Sequence, residues 1–119
     1  MFDEILCRIV DETKGGIGAV LMGYDGIAVD QYFLPREGFD LQLVAVEYAN
    51  ILKEVRKTAE ILRSGETEEV SIRTEKYYVI IRTVGDEYFV VMTLERDGNY
   101  GKARYLLTRE VPQLLSALA

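Results

Sequence analysis

The 119-residue chain has no histidine and no tryptophan, one cysteine and two prolines. Without histidine there is no imidazole to hold a metal, to serve as base in a nucleophilic triad or to exchange protons near neutral pH, so several enzyme classes drop out. Cys7 cannot form an internal disulfide, and its neighbours Phe2, Ile5, Leu6, Ile9 and Val10 favour a packed thiol over a reactive one. Positive charge is also scarce. Fourteen Lys and Arg against twenty Asp and Glu leave a formal charge of -6, which repels nucleic acid and anionic membranes. No apolar run approaches the roughly 20 residues of a membrane span, and the opening MFDEILCRIVDE lacks the basic and apolar regions of a signal peptide. The expected setting is the cytoplasm, with no nucleic-acid partner and no membrane insertion.

What remains is the composition of one globular domain, 49% hydrophobic and 29% charged, and residues 1–119 read as a single domain. Residues 2–13 carry apolar groups at helical spacing. Two apolar runs follow, 17–22 and 27–33, joined by Gly23-Tyr24-Asp25-Gly26, whose Asp-Gly step suits a hairpin turn. Because a strand follows GGIG (15–18), these glycines do not form a phosphate cradle, which needs the N-terminus of a helix behind it. They are expected to end the first helix and to let another backbone approach at Gly18. With no nucleophile and base pair and no metal set in view, neither catalytic residues nor a cofactor is expected.

Residues 40–64 form the strongest helical pattern. Leu41, Val44, Tyr48, Ile51, Val55, Ala59 and Leu62 recur every three or four positions, Asp40 can cap the start and Gly65 can end it. At 1.5 Å per residue the helix spans about 36 Å, longer than the roughly 20 to 23 Å of a six- or seven-residue strand, so it overhangs its own sheet. A second apolar row, Leu43, Val46 and Ile61, lies on its flank and is open to a partner helix. Lys53, Arg56, Lys57 and Glu60 fall away from the first stripe, with Glu54 beside it.

Three more strands follow. Residues 68–74 alternate, with Val70 and Ile72 on one face, as an edge strand does. Residues 77–83 and 87–94 are apolar at successive positions, which requires both sheet faces to be covered. A last helix begins after Asn99, and Pro112 is expected to kink or split it. The order αββαβββα with doubly apolar strands gives an α/β (α+β) three-layer sandwich.

This order, the GAVLMGYDGIAV hairpin (18–29), the long helix running into LRSGETEEVSI (62–72) and the GNYGKARYLL approach to the last helix (98–107) resemble the Roadblock/dynein light chain family, in particular its bacterial MglB-like branch. The resemblance implies a five-stranded antiparallel sheet of order 2-1-5-4-3, with the long helix on one face and the other two helices opposite. It implies a homodimer in which third strands pair and long helices lie side by side, giving Leu43, Val46, Asn50, Val70 and Ile72 as interface. It also implies a Ras-like small GTPase as partner, docked on the long helices at Lys53, Glu54, Arg56, Lys57 and Glu60. Such a regulator or scaffold would change hydrolysis or location through the GTPase's own residues, with no arginine finger supplied. The alternative is a PAS-like small-ligand sensor, which would keep one sheet face open around a pocket.

Overall fold

Strands whose neighbours are all apolar need helices above and below, and the chain supplies them in the expected order. The computed structural model describes residues 2–35 and 40–119. Its elements are α1 (Phe2–Asp11), β1 (Gly16–Gly23), β2 (Ala28–Phe33), α2 (Leu41–Ile61), β3 (Glu69–Arg73), β4 (Tyr77–Val84), β5 (Tyr88–Glu95) and α3 (Tyr100–Leu118). All neighbouring strands pair antiparallel, in the order β2-β1-β5-β4-β3. Every residue of β1 is buried.

The two-residue period of the strands divides the core into two layers. Ala19, Leu21, Ile80, Val90, Met92 and Leu94 meet α1 and α3 through Ile5, Leu6, Ile9, Ala103, Leu106 and Leu107. Val20, Met22, Val79, Ile81, Phe89 and Val91 meet α2 through Ala45, Ala49 and Leu52. The sandwich expected from the sequence is therefore the observed fold.

The glycine-rich stretch does not end α1, which stops earlier, at Asp11, with Thr13 bonded back to the Ile9 carbonyl, but it shapes the packing of β1. A Cβ on Gly18 would come 2.7 Å from Phe33 Cβ, so this glycine permits the close approach of β2. Gly15, in the left-handed region at φ +82°, would carry its Cβ 2.7 Å from Gly98 Cα. There the loop before β1 is tied to the loop before α3: the Glu95 N–H donates to the Gly15 carbonyl at 2.8 Å and the Asn99 N–H to that of Lys14 at 2.9 Å. The first hairpin turns at Asp25 and Gly26 (φ +86°), with the Ile27 N–H donating to Asp25 Oδ1 at 3.0 Å.

Two other expectations need correction. Gly65 does not end α2: Leu62 is its C-cap and Arg63 takes the left-handed turn at φ 53°, leaving Gly65 (φ +93°) in the connection. Pro112 does not split the last helix, since α3 continues through it. Buried Leu106 and Leu107 before the proline and Leu114 after it hold both halves on one layer, offsetting the lost hydrogen bond. Gly38, which precedes the Asp40 cap in the sequence, lies outside the described residues.

α1 and α3 are joined by an ion pair at their interface. Arg8 Nε donates to Glu110 Oε1 at 2.9 Å, and the Glu110 side chain is only 6% exposed against 39% for Arg8. The Glu110 carboxylate holds the Arg8 pKa above its ordinary value. Arg8→Ala leaves this buried carboxylate with Arg109, 3.6 Å away, as its ion-pair partner among the described residues. Urea denaturation should show a clear loss of stability for that variant, and a smaller loss for the double variant Arg8→Met with Glu110→Leu. A double variant that loses as much stability as Arg8→Ala, or more, would contradict this.

Candidate interaction surfaces on the long helix

α2 begins where Asp40 accepts a hydrogen bond from the Leu43 N–H at 3.1 Å, as a capping carboxylate should. Its sheet-facing stripe is Ala45, Ala49 and Leu52, one position on from part of the expected stripe. At about 100° per residue that step turns the helix substantially. Two alanines and a leucine face the sheet, and most of the other large apolar residues lie on the shoulders. Leu43, Val46, Ile51, Ile61 and Leu62 are all exposed, the last two at 70% each. Where such residues form a contiguous patch they are a candidate interaction surface.

One shoulder faces β3 and β4. Half-buried Val44 and Tyr48 join Val70 and Ile72 in the α2-side core, and Leu43 lines a shallow groove with Tyr77 and Val79. Further along, Ile51, Val55, Ala59 and Leu62 line an apolar groove of about 630 Å³, with Asn50 and Glu54 on its wall. β3 itself sits at the sheet edge and, among the described residues, pairs only with β4, so half of its backbone groups point outward. Val46 is elsewhere, two positions and about 200° around the helix from Val44.

The other shoulder is basic. Lys53, Arg56, Lys57 and Glu60 line a groove of about 810 Å³ together with Tyr24, Arg63 and Glu66. Arg56 continues the sheet-facing stripe and is half-buried, its guanidinium carbon 4.1 Å from the centroid of the Tyr24 ring. That ring in turn packs on Phe89 at 4.9 Å. Burial pushes the Tyr24 pKa up, and the Arg56 charge opposes the rise.

The structure thus gathers four of the five residues expected to meet a partner, Lys53, Arg56, Lys57 and Glu60, and separates Glu54 from them. Of the residues expected at a dimer interface, Leu43, Asn50, Val70 and Ile72 lie on the β3 shoulder or its edge, and Val46 does not. Sequence reasoning missed Ile51, Val55 and Leu62 as surface residues by assigning them to the core; the Ala45-Ala49-Leu52 spacing was the signal that could have reassigned them. Tyr24 and Arg63 were missed because they lie outside the helix. Among the described residues, no three Cys, Asp or Glu side chains gather to hold a metal, and no helix is long and apolar enough to cross a membrane.

Residues 2–93 match the Roadblock/LC7 domain. The chain belongs to the Roadblock/LC7 family. It is 38% identical to MglC from Myxococcus xanthus, with 98% of each chain covered and a TM-score of 0.70. The Roadblock fold is matched again, at 15% identity and TM-score 0.86, by a Roadblock/LC7 domain from Streptomyces avermitilis, over 98% of this chain and 96% of that one. The gliding protein MglB from Thermus thermophilus is similar at 17% identity and TM-score 0.83, over 95% of this chain and 84% of its own. A search of curated proteins returns no match. The Roadblock/LC7 family includes small GTPase regulators, and its members are generally not enzymes themselves.

The Arg56–Tyr24 contact can be checked by titration. Arg56→Met keeps the ring covered and removes the charge, so the Tyr24 phenol should ionise at higher pH than in the parent protein. Tyrosine absorbance or NMR across the alkaline range reads this. A downward shift would contradict the arrangement.

Proposed function

We propose that this chain is a homodimeric regulator or scaffold of a Ras-like small GTPase, altering its GTP hydrolysis or its location. The observation that carries the reading is the apolar shoulder of α2 lying beside an open β3 edge. A second copy is the occupant that would cover both at once, by pairing strand to strand and helix to helix.

β3 is self-complementary in a way that supports this. Its residues are Glu-Val-Ser-Ile-Arg, 69–73. Antiparallel pairing centred on Ser71 sets Glu69 opposite the partner's Arg73 and Val70 opposite the partner's Ile72, with unlike charges and like apolar groups matched. The dimer surface then consists of Leu43, Val44, Tyr48, Asn50, Ile51, Val55, Leu62, Val70 and Ile72, with Val46 outside it. The basic groove stays free on the other shoulder, where Lys53 and Lys57 can steer an acidic surface of the GTPase.

Light scattering at micromolar concentration should give twice the 13.5 kDa chain mass. Ile51→Glu should weaken the dimer by roughly tenfold or more and Val46→Glu much less, since only the first carboxylate would be buried. Glu69→Arg should weaken it too, and adding Arg73→Glu should restore it. A monomer in the parent protein, or a dimer indifferent to Ile51→Glu, would sink the interface. For the partner, Lys53→Glu with Lys57→Glu should slow association with a GTP-loaded Ras-like GTPase by roughly tenfold at low salt while the dimer persists. Unchanged association would remove this groove from the docking site.

A further inference from the structure

The face of the sheet opposite α2 carries a second positive site, built differently from the first. Tyr78 on β4 and Tyr100 at the start of α3 stack with ring centroids 5.0 Å apart. Three arginines from separate segments surround them. The guanidinium carbons of Arg73 (β3) and Arg96 (the β5–α3 loop) each lie 5.4 Å from the centroid of the Tyr78 ring, and that of Arg104 (α3) lies 5.6 Å from that of Tyr100. A cavity of about 290 Å³ opens beside them, lined by Ser71, Ile72, Arg73, Tyr78 and Tyr100.

Arg104 Nε donates to Glu69 Oε2 at 2.8 Å. Arg96 Nη1 donates to the Thr74 carbonyl at 2.6 Å, while its Nε is buried with no hydrogen-bond partner among the described residues. Arg73 and Arg96 thus share one tyrosine ring despite their like charge, in a chain whose overall charge is -6. Contact with an aromatic face offsets part of that repulsion, and the exposed Arg73 guanidinium can present its planar N–H edge to an acid while Arg96 and Arg104 add charge beside it.

We propose that the Arg73–Arg96–Arg104 cluster around Tyr78 and Tyr100 is a docking site for a carboxylate-bearing, glutamate- or aspartate-rich segment of a protein partner. The cavity is the size of one or two side chains. The net negative charge of the chain repels an extended polyanion such as a nucleic acid or an anionic bilayer, whereas a short acidic segment can reach a local positive site. In a dimer paired through β3, which rests on the reading above, each protomer brings three arginines and one Glu69 to the two-fold axis, so the sites of the two copies adjoin. The site within one protomer does not require that pairing.

A fluorescein-labelled glutamate-rich peptide tests it by anisotropy with the full chain at low and physiological salt. The expected result is saturable binding that weakens with salt and falls by roughly tenfold in Arg73→Gln with Arg104→Gln. Lys53→Gln with Lys57→Gln, on the α2 groove, should leave it unchanged, which separates failure here from failure of GTPase docking. Arg73 is exposed in the single chain, so Arg73→Gln alone keeps the fold, and light scattering on that variant separates loss of the dimer, where Arg73 would face the partner's Glu69, from loss of the acid site; Arg73→Lys retains charge but loses the fork and should bind more weakly than the parent. Binding unaffected by these changes, loss confined to the α2 variant, or capture of phosphatidylserine vesicles or single-stranded DNA without the peptide would overturn the proposal.

Discussion

Three adjacent strands without a polar face set the terms for the rest of this molecule. β1, β5 and the middle of β4 bury side chains above and below the sheet, and a strand of that kind is stable only between two layers. α1 and α3 supply one layer and α2 the other. β2 and β3 are left at the rims, half covered and with open backbone edges. Function in such a fold falls to the rims and to the outer surfaces of the helices, since the sheet faces are filled.

The single helix on the second face carries the greater load. Ala45, Ala49 and Leu52 face the strands, so Leu43, Val44, Val46, Ile51, Val55 and Ile61 lie to the sides. One side becomes apolar and adjoins the β3 edge; the other becomes basic and adjoins the first hairpin through Arg56 on Tyr24. The residues that face the sheet thereby separate an apolar surface from a basic one. On the opposite face, the arginines around Tyr78 and Tyr100 add a third surface at the β3 rim.

Most of the fold was legible in the sequence because its signals are local. The Asp25-Gly26 turn, the Asp40 and Asn99 caps and the continuous apolar runs each specify an element without reference to distant residues. The sheet order came with the family resemblance and not from spacing. The orientation of α2 was misread because large apolar side chains outweigh alanine in a periodicity argument, although contact with a sheet favours the small residue. The Arg–Tyr cluster was not legible at all: Arg73, Tyr78, Arg96, Tyr100 and Arg104 lie on three elements and a loop, and only the antiparallel register Arg73↔Tyr78 and the course of α3 bring them together.

Amide hydrogen exchange at high and low protein concentration tests the central claim, that α2 and β3 meet a second copy. The β3 amides that do not bond to β4 should exchange slowly at high concentration and faster on dilution, while outward amides of β2, the other rim, exchange fast at both. Equal exchange at the two rims, or protection of β3 independent of concentration, would contradict it.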